Sequence, residues 1–287
     1  MASVDHSVEI LTSADGEPVA LHDFGGSGPS LLLAHGNGLN AGMWAGVVPH
    51  LVDRYRCFGI DLRGHGACRP IDPHYSVDRN RFGEDVLACV DRVGAPVLYA
   101  GHSLGGASAI FAALHRPEAF EALWLYEPVL VPQDLERPEG HHANLLIEAS
   151  RRRRMTFDSV DDAFERFRSK PPFSDCDAAA VRAYVEIGTY PTDDGVRLSC
   201  EGENEARVFE TSEALDFGRL AGIDAPTVVA AGGVEDDAHA LPALVASMVA
   251  DALGNARLER HRDLSHLGPM EAPADIAASI RRHLGSG

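Results

Sequence analysis

Short, continuously apolar runs alternate with amphipathic stretches along the chain, a pattern typical of parallel strands covered by helices on both faces. The buried strands predicted from these runs are Ser30–Ala34, Arg56–Ile60, Val97–Ala100, Ala122–Tyr126, Thr227–Ala231 and Ala256–Arg260. A hairpin of Val8–Leu11 and Val19–Phe24 precedes them. The predicted helices are Met43–Leu51, Arg81–Val93, Gly105–His115, Leu241–Leu253 and Ala274–Leu284. This alternation predicts an α/β fold with a doubly wound, mostly parallel sheet.

The rhythm stops between about residues 132 and 220, where the chain is charged and no apolar run suits a buried strand. Its predicted helices are Leu145–Met155, Val160–Arg168 and Ala178–Ile187. We interpret residues 132–220 as a helical lid inserted into a core made of residues 1–131 and 221–287. Two independent domains are less economical, because the last strand–helix pairs alone would form a very small core. The four arginines at 151–154 cannot all face one way on a helix, so they predict a solvated lid surface.

Composition limits the partners. The 287 residues include 43 acidic and 25 basic side chains, for a net charge of −18. Such a charge argues against nucleic acids and anionic membranes as partners. The partner that we expect is a small-molecule substrate. The five cysteines form no CxxC pair, so neither a disulfide framework nor a zinc knuckle is predicted. The N-terminal residues carry no export pattern and no apolar run approaches 18 residues, so we expect a cytoplasmic protein. The sequence does not specify an oligomeric state.

Gly101-His102-Ser103-Leu104-Gly105 matches the nucleophile pattern G-x-S-x-G. It directly follows a predicted strand and directly precedes a predicted helix, which is the context that this turn requires. The glycines permit a tight, strained turn that lifts the serine hydroxyl above the sheet, and the helix start offers N–H groups to a developing oxyanion. We therefore predict Ser103 as the nucleophile and the Leu104 N–H as one oxyanion donor.

The second glycine-rich turn is His35-Gly36-Asn37-Gly38, after the predicted strand Ser30–Ala34. A turn at this place can aim the Asn37 N–H at the substrate oxygen, beside the Leu104 N–H. Taken alone, the motif is equally explained by a simple tight turn. Together with the serine turn it favours an oxyanion hole.

The sequence resembles the α/β-hydrolase superfamily over nearly its whole length. The segments HGNG, DLRGHG, GHSLGG and SHLGPMEAP match successive motifs of that family. The resemblance extends to lid-bearing esterases, cofactor-free haloperoxidases and perhydrolases, and carbon–carbon bond hydrolases. HGN and DLRGHG also match haloalkane dehalogenases and epoxide hydrolases, but those use an aspartate nucleophile where this chain has Ser103. The resemblance implies a catalytic triad and a lid, and it implies no metal or organic cofactor.

In this family the order along the chain is nucleophile, acid, histidine, which implies a late histidine as the base. His266 fits, because it lies in a loop between the last predicted strand and the last predicted helix. His65 is the strongest rival but precedes the nucleophile. His102 adjoins Ser103, so we expect the turn to point it elsewhere, and His261 lies on or near a strand.

The acid has two candidate places. The usual family position follows Thr227–Ala231, where Glu235 and Asp236 are available. Glu127 ends the strand after the nucleophile helix, the place from which some dehalogenase-like relatives take their acid. Chain order fits both places. A carboxylate at the carboxyl end of a buried strand, such as Glu127, is hard to explain structurally, because a buried charge needs a partner. The acidic loop at 235–237, by contrast, is readily explained as a solvated turn. We rank Glu127 and Asp236 nearly level, with Glu235 third.

These residues predict a serine hydrolase of a small carboxylic ester, thioester or lactone. A perhydrolase or a C–C bond hydrolase would use the same triad and differ in the pocket under the lid. A different class of function is a ligand receptor that retains the fold without the chemistry. The intact serine and histidine argue against a receptor.

Overall fold

A single eight-stranded sheet organises the protein. The computed structural model describes residues 7–68, 74–133, 141–211, 214–233 and 240–285. In chain order the sheet contains β1 (Ser7–Thr12), β2 (Pro18–Asp23), β3 (Ser30–Ala34), β4 (Arg56–Asp61), β5 (Val97–His102), β6 (Phe120–Tyr126), β12 (Thr227–Gly232) and β13 (Ala256–His261). Their spatial order is β1-β2-β4-β3-β5-β6-β12-β13. Strand β2 pairs antiparallel with β1 and β4, and the other pairs of this sheet are parallel, so the predicted mostly parallel α/β sheet is confirmed.

Helices cover both faces of this sheet. They are α1 (Arg79–Val93), α2 (Leu104–His115), α7 (Ala240–Ala252), α8 (Gly268–Glu271) and α9 (Pro273–Leu284). The predicted helix Met43–Leu51 is wrong: the chain forms two short 3₁₀ turns there, Ala41–Trp44 and Val48–His50. The glycine at 46 and the proline at 49 weaken a continuous helix in this stretch.

Side chains alternate between the two faces, as a strand requires. On β3, Leu32 and Ala34 pack into the cluster under α1, α2 and α7, whereas Leu31 and Leu33 pack into the cluster under α9. All four are fully buried. This explains why the central strands are continuously apolar in sequence.

Strand order reverses between β3 and β5, which places a crevice at the carboxyl ends of these two strands. The chain passes from β3 to its neighbour β4 on one side, and then returns to β5 on the other. Ligands of open α/β sheets bind at such a switch point. The loops after β3 and β5 are the HGNG and GHSLG turns.

The 132–220 segment contains both helices and short strands. Its helices are α3 (His141–Arg151), α4 (Val160–Arg168), α5 (Ala178–Ile187) and α6 (Gly202–Glu210). Its strands are β7 (Val131–Pro132), β8 (Thr156–Phe157), β9 (Thr189–Thr192), β10 (Gly195–Leu198) and β11 (Ala214–Leu215). The sequence predicted α4 and α5 correctly but missed α6 and the small sheet β8-β10-β9. Strands of two to four half-buried residues carry too little periodicity to be recognised.

The arginine run does not lie wholly in solvent. Arg151, Arg152 and Arg154 are exposed, as predicted, but the Arg153 side chain is only 17% exposed and lies 2.8 Å from the Glu205 carboxylate. The prediction of a solvated surface is therefore wrong for Arg153. Because α3 ends at Arg151, the residues that follow leave the helix and Arg153 turns inward.

Two buried charges brace the loop after β4. Asp61 accepts hydrogen bonds from the Ala41 and Ala67 N–H groups, and Arg63 binds Asp85 and Asp15. Both residues belong to the DLRGHG motif. Within the described ranges, no helix is both long and apolar enough to cross a bilayer.

Candidate active site

Ser103 occupies a strained turn between β5 and α2. Its φ of 50° and ψ of −109° fall in a region that non-glycine residues rarely adopt. Its N–H donates to the Tyr126 carbonyl (2.9 Å), and its carbonyl accepts from the Ala107 N–H in the first turn of α2. The serine is thus fixed at the carboxyl edge of the sheet, with the helix N-terminus directly behind it.

Close approach, rather than an unusual φ, explains the two glycines of the turn. A Cβ on Gly101 would lie 2.8 Å from backbone atoms of Gly105 and Gly106. A Cβ on Gly105 would lie 2.6 Å from the Ala34 carbonyl oxygen. The strain is therefore carried by Ser103 itself, while its neighbouring glycines let β3, β5 and α2 meet.

His266 and Glu127 are in direct contact. His266 Nδ1 lies 2.5 Å from Glu127 Oε2, and Glu127 Oε1 accepts a hydrogen bond from the Gly232 N–H at 2.8 Å. The Glu127 side chain is 2% exposed and that of His266 is 24% exposed. Both carboxylate oxygens of this buried charge are therefore occupied. The other candidate acids, Asp236 and Glu235, lie outside the described residues.

Glu127 is also strained. Among the described non-glycine residues, only Ser103 and Glu127 have positive φ, 50° and 44°. Each follows the last residue of a neighbouring sheet strand, β5 and β6 respectively. Strain of this kind persists only where the surrounding structure holds it, and it is concentrated at functional sites.

His102 anchors the loop that carries His266. Its Nε2–H donates to the His266 carbonyl oxygen at 2.8 Å, and the two rings lie 4.7 Å apart. Burial, with His266 as a close neighbour, holds the pKa of His102 well below its usual value, so the ring stays neutral. Tyr126 holds the same loop through its hydroxyl, which donates to the Ser265 carbonyl (2.7 Å). The Ser265 side chain in turn binds Glu271.

The two predicted oxyanion donors are free for a ligand. Within the described part of the chain, neither the Asn37 nor the Leu104 N–H has a hydrogen-bond acceptor. The peptide bond before Asn37 is held through its other end: the Gly36 carbonyl accepts from His35 Nδ1 (2.7 Å) and from the Leu39 N–H (3.1 Å). In a trans peptide C=O and N–H point in opposite directions, so these bonds fix the direction of the Asn37 N–H.

Two neutral histidines support this loop. His35 Nε2 accepts from the Leu62 N–H (3.1 Å), and His65 Nε2 accepts from the Gly38 N–H (3.1 Å). A proton on Nδ1 of each ring is then donated to a carbonyl, that of Gly36 from His35 and that of Arg63 from His65. Burial lowers the pKa of His35 to about 3 and also lowers that of His65. His65, the rival base, is thus engaged in holding the loop.

The supporting residues were missed at the sequence level. His35, His65 and His102 were visible inside the HGNG, DLRGHG and GHSLG motifs, but the sequence does not show that each binds a main-chain group of a neighbouring loop. Tyr126 and Glu271 carried no signal. The sequence did indicate Ser103, His266 and, as one of its candidate acids, Glu127, and the fold brings these three residues to adjacent loops.

The chain was also compared with models of known protein families. Residues 31–279 match the model described as the alpha/beta hydrolase family. The chain belongs to this family. The resemblance to α/β-hydrolases stated from the sequence motifs is thereby confirmed.

Similarity to individual proteins in this family is partial in sequence and nearly complete in fold. The chain is 39% identical over 100 residues to a pimeloyl-[acyl-carrier protein] methyl ester esterase of Nitrosomonas europaea, covering 35% of this chain and 37% of that protein. It is 35% identical over 122 residues to 3-oxoadipate enol-lactonase 2 of Acinetobacter baylyi, covering 41% of this chain and 43% of that protein. It thus matches well under half the length of these relatives. The crystal structure of E-2-(acetamidomethylene)succinate hydrolase superposes with a TM-score of 0.75 at 19% identity, covering 98% of this chain and 100% of that one.

Proposed function

We propose that this α/β hydrolase is a serine hydrolase that cleaves a small carboxylic ester, thioester or lactone through an acyl-enzyme on Ser103. The observation that carries the proposal is the His266–Glu127 pair, which is joined through His102 to the strained serine turn. A nucleophile, a histidine base and an acid that orients the base form the triad required for acyl transfer.

Acylation uses each member in one role. Ser103 Oγ attacks the carbonyl carbon while His266 Nε2 takes its proton, and the Asn37 and Leu104 N–H groups receive the negative charge that develops on the carbonyl oxygen. Glu127 accepts a hydrogen bond from His266 Nδ1–H and so keeps Nε2 free to act as the base. His266 then returns the proton to the leaving alcohol, thiol or lactone oxygen.

Deacylation repeats these steps with water. His266 takes a proton from a water molecule, which attacks the acyl-enzyme, and Ser103 leaves with the proton that His266 gives back. The two N–H groups again hold the oxyanion. Losing one such donor costs on the order of a hundredfold or more in turnover.

The 132–220 segment is proposed as the lid that selects the acyl group, between the core parts 1–131 and 221–287. The chain leaves the sheet for it directly after β6, at the carboxyl edge where Ser103 lies. The named substrates of the relatives, a methyl ester and an enol-lactone, are consistent with an oxygen ester as the bond cleaved. Exchanging residues of this segment should change the preference among acyl chains more than the rate on the smallest ester.

The test is covalent labelling followed by a substrate panel. A fluorophosphonate probe should label the wild-type protein at Ser103 and fail to label Ser103→Ala, and His266→Ala should label at least a hundredfold more slowly. Chromogenic esters of varied acyl length, thioesters, lactones and peracid formation then assign the reaction. Peracid formation or C–C cleavage in preference to ester hydrolysis would favour the perhydrolase or C–C hydrolase alternative. A folded wild-type protein that resists the probe would support a receptor instead.

A further inference from the structure

The 132–220 segment binds three polar groups of the oxyanion loop. Asn37 Nδ2 donates to the Glu205 carbonyl at 3.0 Å, and Asn40 Nδ2 donates to the Tyr184 carbonyl at 2.9 Å. The Tyr184 hydroxyl donates to the Gly38 carbonyl at 3.3 Å. Tyr184 and Glu205 belong to α5 and α6, so two elements of this segment fasten a loop of the core.

One of these bonds leads directly to an oxyanion donor. Tyr184 holds the carbonyl of the Gly38–Leu39 peptide. The N–H of this peptide, that of Leu39, donates to the Gly36 carbonyl. The Gly36 carbonyl and the Asn37 N–H are the two ends of the next peptide in this path, Gly36–Asn37. Because each peptide is planar and trans, fixing one end of it fixes the other. Two peptide planes therefore connect the Tyr184 hydroxyl to the direction of the Asn37 N–H.

Arg153 fixes the direction of the Tyr184 proton. Its guanidinium lies 3.4 Å from the phenol oxygen, and a guanidinium can only donate. The phenol oxygen therefore accepts from Arg153, and its own O–H is left to donate to Gly38. Burial raises the pKa of Tyr184 to about 12, so the phenol keeps the proton that it donates.

The Tyr184 side chain is buried and closely packed. Tyr184 is 2% exposed, and its ring stacks on that of Phe173 with centroids 5.2 Å apart and planes inclined by 14°. A Cβ on Gly38 would overlap the Glu205 carboxylate, and one on Gly42 would overlap the Ala183 backbone. The loop and these helices therefore pack closely at both glycines.

We propose that Tyr184 is a positioning residue for the oxyanion hole, acting through the Gly38–Leu39 and Gly36–Asn37 peptides on the Asn37 N–H. This inference rests on the proposed function. If Tyr184 has this role, the 132–220 segment contributes to the chemical step as well as to the choice of acyl group. The oxyanion hole is complete only while α5 is seated on the loop.

The decisive variant is Tyr184→Phe, which keeps the stacked ring and removes only the hydroxyl. We expect kcat to fall about tenfold, equivalent to about 1.4 kcal/mol, with KM changed less than twofold, because the oxyanion forms only after substrate has bound. The matched control is Tyr55→Phe, another buried tyrosine whose hydroxyl has no hydrogen-bond partner among the described residues. This control should leave both constants unchanged.

A boronic acid provides the readout that a purely structural role would not change. Its boron adds to Ser103 Oγ and places a tetrahedral oxygen in the oxyanion hole, so its affinity should fall in Tyr184→Phe by the same factor as kcat. The affinity for a carboxylic acid product, which lacks the tetrahedral oxygen, should be unchanged. A folded Tyr184→Phe with wild-type kcat and wild-type boronate affinity would overturn the proposal.

Two further measurements keep the test decisive. If Tyr184→Phe does not fold, Asn40→Ser keeps a cap on the Gly42 N–H but releases the Tyr184 main chain, and it should lower kcat in the same direction. Unchanged kcat in that variant would also refute the role of Tyr184. A wild-type protein that binds no boronate and takes no fluorophosphonate label would instead contradict the proposed function itself.

Discussion

His266 Nδ1 lies 2.5 Å from Glu127 Oε2, at the end of the strand next to the one that precedes Ser103. The Gly232 N–H binds the second carboxylate oxygen, so the buried charge has a partner on each side. If Glu127 is the triad acid, as proposed, β12 contributes a main-chain donor to that acid through its last residue. This arrangement leads to the first prediction.

Glu127→Gln should lower turnover by roughly three to four orders of magnitude, by analogy with the loss of triad acids in serine proteases. The amide keeps the size of the side chain but can present an N–H to His266, which favours the wrong tautomer. The kcat of Asp236→Asn and of Glu235→Gln, measured beside it, should change less than tenfold. If all three variants leave kcat nearly intact, the triad assignment fails.

Ser103→Ala should abolish ester hydrolysis while the protein stays folded, because this hydroxyl adds little to packing. The matched control is Ser108→Ala in α2, the helix that follows Ser103, because the buried Ser108 hydroxyl donates to the Leu104 carbonyl within the helix (2.7 Å). Steady-state rates and thermal unfolding midpoints of both variants test this. More than a few per cent of the wild-type rate in Ser103→Ala would refute the nucleophile.

Folding stability should decrease in acid, partly because of His35. Burial lowers the pKa of this residue from 6.5 to about 3, so between these values the unfolded chain binds a proton that the folded protein does not. The free energy of unfolding therefore falls as pH decreases through this window, by up to about 1.4 kcal/mol per pH unit from this one residue. Urea unfolding of His35→Gln should show a shallower pH dependence than the wild type. The exposed His50→Gln should match the wild type, and equal slopes in all three proteins would contradict the prediction.

Gly105→Ala should damage both stability and activity. The added methyl group would lie 2.6 Å from the Ala34 carbonyl oxygen, which forces β3 and α2 apart. We expect the free energy of unfolding to fall by about 1–3 kcal/mol, and kcat to fall because the adjoining Leu104 N–H moves. Gly222→Ala, where a Cβ would meet no atom within 4 Å, is the control for denaturant unfolding and kinetics. Equal stability of the two variants would show that the site relaxes without cost.

The sheet was predictable because its strands are buried on both faces, which makes apolar runs such as Ser30–Ala34 continuous in sequence. The positions of Ser103 and His266 in loops at strand ends were predictable because each residue lies in a motif with a recognisable strand or helix beside it. The acid was left open between Glu127 and Asp236, since chain order fits both. The contact of Glu127 with His266 depends on the docking of a loop 139 residues away, which no local pattern encodes.

The 132–220 segment was predicted less well, for a related physical reason. Its polar anchors act over long distances in the chain: the Tyr184 hydroxyl meets Gly38 across 146 residues. Arg153 looked like one of four solvated arginines, and only the end of α3 at Arg151 turns it inward. Hydrophobic periodicity describes which face of a helix is buried, but not which single polar atom finds a main-chain partner.

The position of Glu127 in the chain also affects when the site can form during synthesis. Ser103 and Glu127 leave the ribosome early, but the two groups that surround the Glu127 carboxylate, the Gly232 N–H and His266, emerge more than a hundred residues later. Chains grow at about 5–20 residues per second, so for several seconds the nascent protein holds the proposed nucleophile without the proposed base. A buried carboxylate without partners is costly, which opposes closure of the site until the last two strands are added. A translation product that stops short of β12 is therefore expected to be inert, with no partial hydrolase activity.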